Sequence, residues 1–242
     1  MEKPLEKLKD WVAESGRIVF FGGAGVSTES GIPDFRSEDG LYRQSYRYPP
    51  ETILSRSFFE RHPEEFFAFY RDKMLFPEAK PNPVHRRLAE WEQAGRLAAV
   101  VTQNIDGLHQ AAGSRRVLEL HGSVHRNTCL KCHARYDLNF ILGTHGVPRC
   151  PCGGIIKPDV VLYEESLDEA VLQGAVEAIS SADLLIVGGT SLAVYPAAGL
   201  LRYYRGNRLV LINRSVTPYD DRADLLFQCG LEETLAQLDG II

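Results

Sequence analysis

The segment RIVFFGGAGVS, residues 17–27, indicates the class of fold. Its first part, Arg17 to Phe21, is rich in β-branched and aromatic side chains and stops at glycines, which is typical of a buried parallel strand that enters a turn. Glycines at such a turn let the backbone bend tightly and let its N–H groups approach a phosphate. The stretch therefore predicts the first strand of an α/β sheet with a phosphate-binding loop at its end.

Similar apolar runs recur along the chain, several with helical stretches between them. They are Leu97 to Thr102, Val117 to Leu120, Leu184 to Val187 and Leu209 to Ile212. Five such strands predict an α/β fold, a Rossmann-like open parallel sheet with helices on both faces. The glycine loop alone is a weak signal, because a plain turn has the same composition. The usual dinucleotide fingerprint also needs an acidic strand end about 20 residues on, and residues 39–43 do not look like one.

Composition excludes several classes of protein. The chain has 242 residues, a formal net charge of −5 and 44% hydrophobic residues, which fits one medium domain with or without a small insertion. No apolar run is long enough to cross a bilayer, and residues 1–16 lack the apolar core of a secretory signal. We expect a cytoplasmic protein without a membrane partner. The negative charge also argues against direct nucleic-acid binding.

Two regions interrupt the alternation of strands and helices. Residues 37–83 are rich in aromatics and proline and contain a predicted helix, Pro63 to Met74, which we interpret as a helical flap. Residues 123–157 contain four of the five cysteines, in two tight pairs, and little core-forming sequence. In a reducing compartment such pairs favour metal ligation over disulfides, so a small inserted metal module is expected.

The cysteine pairs predict one structural zinc ion per chain. Cys129 and Cys132 form the first pair, and Cys150 and Cys152, separated by one residue, form the second. Four thiolates suit tetrahedral zinc and leave no open position for chemistry. If Cys152 cannot reach the metal, His133 or a water would replace it. The remaining cysteine is interpreted as a small buried hydrophobe.

Polar residues follow the second and third predicted strands. TQNIDGLH, residues 102–109, begins where an apolar strand ends, and ligands of open α/β sheets bind just beyond that edge. A capped turn, with Asn104 or Asp106 at a helix N-terminus, is the alternative. His121 closes the next strand and is followed by Gly122, so it is a candidate base at the same edge. The other six histidines are interpreted as structural: His62, His85, His109, His125, His133 and His145.

The motifs together resemble those of the sirtuin family, in its bacterial and archaeal branch. GAGVSTESGIPDFRS, residues 23–37, resembles the family's NAD-binding loop, TQNIDGLH its second signature, and residues 119–122 its ExHG pattern. The resemblance runs from about Gly16 to the C-terminus. It implies a Rossmann-like domain of residues 1–36, 84–122 and 158–242, and a small domain formed by the flap 37–83 and the zinc module 123–157. The family usually has two residues inside the second cysteine pair, whereas Pro151 stands alone here.

The resemblance also implies roles for individual residues. Phe35 would cover the nicotinamide and the reactive ribose, Ile105 and Asp106 would hold the carboxamide, and Val161 and Val194 would lie on either side of the acyl-lysine. The implied catalytic residues are His121, Asn104 and Asp106. The full set implied for NAD is Gly23, Ala24, Gly25, Thr28, Phe35, Arg36, Gln103, Asn104, Ile105, Asp106, His121, Gly189, Thr190, Ser191, Asn213 and Cys229.

The implied reaction is NAD-dependent deacylation of protein lysines. The acyl oxygen attacks C1′ of the nicotinamide ribose and nicotinamide leaves. His121 then takes a proton from the ribose hydroxyls, the 2′-oxygen attacks, and water completes the release of lysine and 2′-O-acyl-ADP-ribose. Acyl-lysine proteins or peptides are the expected partners, and a monomer is the expected state.

Two other functions stay open at this point. One is an ADP-ribosyltransferase on the same scaffold, in which a protein side chain or water attacks after nicotinamide is lost. The other is a binding module that holds NAD or ADP-ribose without turnover. His121 is present, and no position of the matched motifs has lost its functional residue. Both observations favour deacylation.

A further pair, Tyr70 and Lys73, lies one turn apart on the predicted helix and aligns with the Tyr-x-x-Arg pair of desuccinylating sirtuins. The other interpretation is that Tyr70 is core and Lys73 a surface charge. An ammonium pairs with a carboxylate less specifically than a guanidinium fork does. We therefore expect acetyl-lysine and other short neutral acyl-lysines to be better substrates than succinyl-lysine.

Overall fold

The computed structural model describes residues 2–34, 40, 47–238 and 240–241. Nine strands and nine α-helices organise these described residues. The strands are β1 (Ile18–Gly22), β2 (Leu97–Thr102), β3 (Val117–Glu119), β4 (Gly122–Cys129), β5 (Arg135–Tyr136), β6 (Ile156–Val160), β7 (Leu184–Gly188), β8 (Leu209–Ile212) and β9 (Leu225–Phe227). The helices are α1 (Glu2–Glu14), α2 (Pro50–Ile53), α3 (Arg56–Arg61), α4 (Pro63–Lys73), α5 (Pro83–Gln93), α6 (Leu108–Ala111), α7 (Leu138–Leu142), α8 (Glu169–Ser180) and α9 (Leu231–Ala236). None of these helices is long and apolar enough to span a bilayer.

The large sheet has six parallel strands in the order β3-β2-β1-β7-β8-β9. This confirms the predicted Rossmann-like α/β fold, and each predicted strand is present with its ends moved by a residue at most. Strand β9 was not predicted, because its three residues contain no β-branched side chain. The strand β1 lies inside the sheet, between β2 and β7, so the glycines after it lie at the middle of the carboxyl edge.

Strand β1 builds a core on each face of this sheet. Its side chains alternate: Ile18 and Phe20 pack with α1, α5 and α9, whereas Val19 and Phe21 pack with α8. All four side chains are fully buried. Complete burial of each contributes about 1.5–3 kcal/mol to folding. Because both faces are covered, the strand is a continuous apolar run and not an alternating one.

A second, antiparallel sheet begins where the first one ends. Its order is β5-β4-β6, and β4 starts at Gly122, immediately after His121. Gly122 has φ +77° and pairs with Val160 of β6. A Cβ at Gly122 would lie 1.9 Å from the carbonyl oxygen of Asp159, so no side chain fits there. The glycine after His121 is therefore required by the junction between the two sheets.

The two predicted insertions share one hydrophobic core. Phe59 and Phe66 of the helical region pack in the same cluster as Ile141 and Ile156 of the cysteine-containing region. Arg71 of α4 also joins them, since its guanidinium donates to the carbonyl oxygens of residues 141 and 146 and to the hydroxyl of residue 144. A shared core is what a single small domain requires. The predicted helix from Pro63 is confirmed as α4, and the residue bounds of the two domains stay a prediction.

Two histidines are buried beside each other under the parallel sheet. The rings of His85 and His109 lie 4.7 Å apart, and neither side chain is more than 1% exposed. His85 accepts a hydrogen bond from the N–H of Asn82 at the start of α5. Within the described part of the chain, neither ring nitrogen of His109 has a hydrogen-bond partner. Burial lowers the pKa of His85 to about 4 and that of His109 to about 3.

This pair predicts a loss of stability in mild acid. The unfolded chain binds protons near pH 6.5, whereas folded His109 does so only near pH 3, so stability is complete above pH 6.5 and falls as the pH drops below it. The loss is about 1.4 kcal/mol per pH unit for each histidine. His109→Leu should fold, because the ring nitrogens form no hydrogen bond with the described residues that the variant could lose. Between pH 6 and 5, the slope of its unfolding free energy against pH should be lower than that of the wild-type chain by about 1.4 kcal/mol per pH unit. Urea unfolding measures it.

The matched control is His145→Leu, since His145 is exposed. It should leave the slope unchanged. A slope in His109→Leu equal to that of the wild-type chain would show that His109 is protonated in the folded protein.

Candidate functional site

A cleft of about 1390 Å³ lies along the carboxyl edge of the parallel sheet. The segments that follow β1, β2, β7 and β8 all contribute to its wall, together with residues just after β6. This is the edge at which open α/β sheets bind ligands. The volume exceeds the roughly 300–1,000 Å³ of an ordinary small-molecule pocket. The cleft can therefore hold an extended ligand, or two ligands that meet.

Two glycine-containing loops meet backbone to backbone on the cleft wall. The N–H of Gly25, after β1, donates to the carbonyl oxygen of Gly189, after β7, at 2.8 Å. A Cβ on Gly25 would lie 2.8 Å from the Cα of Gly189, and one on Gly23 would lie 2.8 Å from the Cβ of Thr190. The hydroxyl of Thr190 accepts from the Gln103 amide at 2.9 Å, which joins the loop after β2 to the same group. These glycines are thus required for packing as well as for any approach to a phosphate.

A serine hydroxyl organises the polar residues after β2. Ser27 donates to the Asp106 carboxylate at 2.7 Å and accepts from the Asn104 amide at 3.0 Å. The other oxygen of Asp106 accepts from the N–H of Leu108, the first residue of α6. Asp106 therefore lies on the cleft wall and also accepts from the first N–H of α6, but the N-cap of this helix is Gly107, so the predicted N-cap role of Asn104 or Asp106 is wrong. His85 approaches the same hydroxyl, with its Nε2 3.5 Å from Ser27 Oγ.

Ser27 and His85 are the site residues that sequence reasoning missed. Ser27 lies inside the quoted glycine-loop motif, so its position was a usable signal. His85 had none, because it lies in the first turn of α5, far from any motif. It reaches the site through the buried contact with Ser27 and lies next to His109.

His121 is held in one tautomer. Its Nδ1 lies 3.1 Å from the carbonyl oxygen of Gln103, which can only accept, so Nδ1 carries the proton and Nε2 carries the lone pair. Burial lowers the pKa of His121, and the bond to Gln103 opposes this in part. The backbone oxygen of His121 accepts from the N–H of Val161 at 2.9 Å. A neutral imidazole with a free Nε2 on the cleft wall can accept a proton from a bound ligand.

The structure brings nearly all the predicted ligand-binding residues to this one cleft. Cleft-lining residues are Gly23, Ala24, Gly25, Thr28, Lys73, Gln103, Asn104, Ile105, Asp106, His121, Val161, Gly189, Thr190, Ser191, Val194, Asn213 and Cys229. Phe35 and Arg36 lie outside the described residues. Tyr70 is fully buried in the core that α4 shares with the cysteine region, and burial raises its pKa. The structure therefore places Tyr70 in the core and Lys73 on the cleft wall.

The four paired cysteines converge on one point. Their sulfur atoms all lie within 4.8 Å of one another, and the pairs Cys129–Cys152 and Cys132–Cys150 are each 3.5 Å apart. A zinc tetrahedron with arms of about 2.3 Å has edges of about 3.8 Å. The set therefore fits zinc, Cys152 does reach it, and the substitute ligand His133 is outside the set.

Two glycines let the shortened second pair turn back onto the first. Gly153 has φ +83°, and its N–H donates to the carbonyl oxygen of Cys150 at 2.8 Å. A Cβ on Gly154 would lie 2.7 Å from the sulfur of Cys129. Only glycine therefore lets the second cysteine pair come this close to the first. The Tyr136 hydroxyl donates to the sulfur of Cys150 at 3.0 Å and supports it from outside the set.

We expect the cysteine site to be needed for folding of the small domain, because a closed thiolate site contributes its metal-binding free energy to folding. Cys150→Ser with Cys152→Ser should release zinc and lower the thermal midpoint, which metal analysis and calorimetry on the same sample will measure. His133→Ala is the control and should retain one zinc per chain. A zinc-free double variant with the wild-type midpoint would contradict this role.

Comparison with known proteins agrees with the geometry. The Sir2 family matches residues 23–196. The "NAD-dependent protein deacetylase" of Clostridium acetobutylicum is 59% identical over 96% of both chains, and that of Clostridium perfringens is 58% identical over 98% of this chain and 99% of that one. A Sir2 structure with a p53 peptide and NAD+ has TM-score 0.85 at 40% identity, covering 97% of this chain and 96% of that one. Another, with deacetylated p53 peptide and 3′-O-acetyl ADP ribose, has TM-score 0.91 at 40% identity, covering 98% and 99%. The chain belongs to the Sir2 family.

Proposed function

We propose that the protein is an NAD-dependent protein-lysine deacetylase whose products are nicotinamide, free lysine and 2′-O-acetyl-ADP-ribose. The observation that carries the proposal is the neutral His121, fixed with a free Nε2 on a cleft large enough for two ligands. The relatives support it, since they are named NAD-dependent protein deacetylases and match over almost their whole length. The solved Sir2 structures with a peptide, NAD+ or an acetylated ADP-ribose support it as well.

The cofactor would lie across the two interlocked glycine loops. Gly23, Gly25 and Gly189 keep side chains out of this wall, and Thr190 presents its hydroxyl there. Asn213 and Cys229, after β8 and β9, line the part of the cleft where the adenosine half would bind. When bound, NAD supplies a ribose that can lose nicotinamide and accept an acyl group. The residues of this chain have to orient that ribose and accept one proton from it.

His121 would take the proton from a ribose hydroxyl through Nε2. Its Nδ1–H stays bonded to Gln103, which fixes the ring and stabilises the imidazolium that forms. Asn104 and Asp106 would orient the ribose and the carboxamide, and Ser27 holds both of them in place. These hydrogen bonds hold Asn104 and Asp106 in a fixed position relative to each other.

The acyl-lysine would enter from the other side of the same cleft. Val161 follows β6 and Val194 follows β7, and both line the cleft. An extended peptide added as a strand between these segments would bring its lysine towards His121. Zinc would have a structural role in the small domain and take no part in the reaction. The preference for short neutral acyl groups over succinyl stays a prediction, now resting on Lys73 alone because Tyr70 is core.

Two readouts distinguish this function from its rivals. Incubation with NAD and an acetyl-lysine peptide, followed by mass spectrometry, should give nicotinamide, deacetylated peptide and acetyl-ADP-ribose in equal amounts. Nicotinamide with ADP-ribose attached to protein would indicate a transferase. Binding of NAD without nicotinamide release would indicate a binding module.

His121→Ala should separate chemistry from binding. We expect kcat for deacetylation to fall by at least about 10²-fold, as is typical when a general base is lost, while the Kd for NAD changes little. Since the pKa of His121 lies below 6.5, wild-type kcat/KM should rise with pH through an apparent pKa below that value and then level off.

The control is His145→Ala, which removes an exposed histidine and should leave kcat and the Kd for NAD as they are. Near-normal turnover in His121→Ala would remove this residue from the mechanism.

A further inference from the structure

A partly buried ion cluster lies beside the cleft-lining segment that would bind the peptide, and its Glu165 also lines the cleft. We call residues 158–163 the substrate segment, and Lys157, Glu165 and Arg56 the Glu165 cluster. Lys157 is 8% exposed and its ammonium lies 3.0 Å from the Glu165 carboxylate. None of the three residues belongs to a sequence motif discussed above, and no step of the proposed reaction uses them.

The ammonium of Lys157 holds the substrate segment from the inside. It donates to the carbonyl oxygens of Pro158 at 3.1 Å and Val160 at 2.9 Å, besides its bond to Glu165. All three donor positions of the ammonium are thereby filled. These bonds fix the curvature of the segment just before Val161, whose N–H is bonded to the backbone of His121.

Glu165 closes the other end of the segment. One carboxylate oxygen accepts from Lys157 and from the N–H of Leu162 at 2.8 Å, and the other accepts from Arg56 at 3.0 Å. Burial acts against the charge of Glu165, but the Leu162 N–H and the Lys157 ammonium more than offset it, so its pKa lies below the usual range. The carboxylate is therefore charged at neutral pH and joins both ends of the segment.

Arg56 connects this arrangement to the helical region. It is the first residue of α3, and its N–H donates to the carbonyl oxygen of Tyr163, while the N–H of Tyr163 donates to that of Leu54. The substrate segment is thus bonded on one side to His121 of the large domain and on the other to the start of α3. The ion cluster lies where these constraints meet.

We infer that the Glu165 cluster is a positioning element that preorganises the substrate segment for the acyl-lysine peptide. The inference rests on the proposed function, because it assumes that residues 158–163 pair with that peptide. A segment already fixed in its binding shape loses less conformational entropy when a strand pairs with it. The cluster should therefore affect peptide affinity and leave affinity for ADP-ribose unchanged.

The test uses Lys157→Met combined with Glu165→Gln. Removing one partner alone would leave a buried charge unpaired, whereas removing both with side chains of similar size leaves stability close to the wild-type value. Glutamine can still accept from Leu162 through its one oxygen, but its NH2 group cannot accept from Arg56, so the ammonium with its bonds and the Arg56 bond are lost. We expect the Kd for a fluorescein-labelled acetyl-lysine peptide to rise about tenfold. The Kd for ADP-ribose, measured by calorimetry, should be unchanged.

Glu60→Gln is the matched control. Glu60 also pairs with Arg56, at 2.6 Å, but on the exposed side and without contact to Lys157. An exposed ion pair of this kind contributes little, so the control should bind the peptide normally.

If the double variant does not fold, Arg56→Gln replaces it, since this side chain is 36% exposed. Its peptide Kd should rise about threefold, because this variant loses only one of the interactions that order the substrate segment.

Wild-type peptide affinity in the folded double variant, or in Arg56→Gln when that variant replaces it, would overturn the inference. An equal loss of ADP-ribose affinity would also overturn it, because it would indicate a general disturbance of the fold. Failure of the proposed function looks different. If the proposed function is wrong, the wild-type chain will bind the peptide and ADP-ribose but release no nicotinamide from NAD. The effect of the cluster on peptide affinity can still be measured in that case.

Discussion

The loops after β1 and β7 touch backbone to backbone, and this contact shapes the cleft. Two neighbouring parallel strands end at the same edge, and their loops approach until the N–H of Gly25 bonds to the carbonyl oxygen of Gly189. Side chains at either position would collide with backbone, which cannot move aside as a flexible side chain can. The part of the cleft wall formed by these two loops is therefore made of main chain, which suits a ligand whose phosphates are recognised by N–H groups.

The junction between the two sheets, at His121 and Gly122, places the candidate catalytic base on the same cleft. The chain leaves the parallel sheet at His121 and enters the antiparallel sheet at Gly122, where only glycine fits against Asp159. The imidazole is bonded to the carbonyl oxygen of Gln103, just after β2, and the backbone carbonyl of His121 accepts from the N–H of Val161, just after β6. A residue at the meeting point of two sheets is placed more rigidly than one on a free loop. Both proposed substrates would meet at this point.

The sequence predicted the features that depend on residue type at short range. The buried strands, the glycine loop and the clustered cysteines are of this kind, since a run of β-branched residues or four thiolates has few alternative uses. The short strand β9 was missed because its residues, Leu225 to Phe227, include no β-branched side chain. The doubt over Cys152 was resolved by Gly153 and Gly154, whose role depends on a turn geometry that spacing alone does not reveal. Ser27, His85 and the Lys157–Glu165 pair were missed because their partners are distant in sequence or depend on which side chains become buried.

The Kd for ADP-ribose in Gly25→Ala, compared with Gly16→Ala, will show whether the contact between the two loops shapes the cofactor cleft. Gly16 lies before β1, and a Cβ there would meet nothing closer than 3.9 Å, so that variant should bind as the wild-type chain does. In Gly25→Ala the two loops have to separate, at a cost of about 1–3 kcal/mol in unfolding free energy. ADP-ribose affinity should fall by about tenfold or more, corresponding to about 1.4 kcal/mol. Wild-type affinity in Gly25→Ala would contradict the claim that the contact between these loops shapes the cofactor cleft.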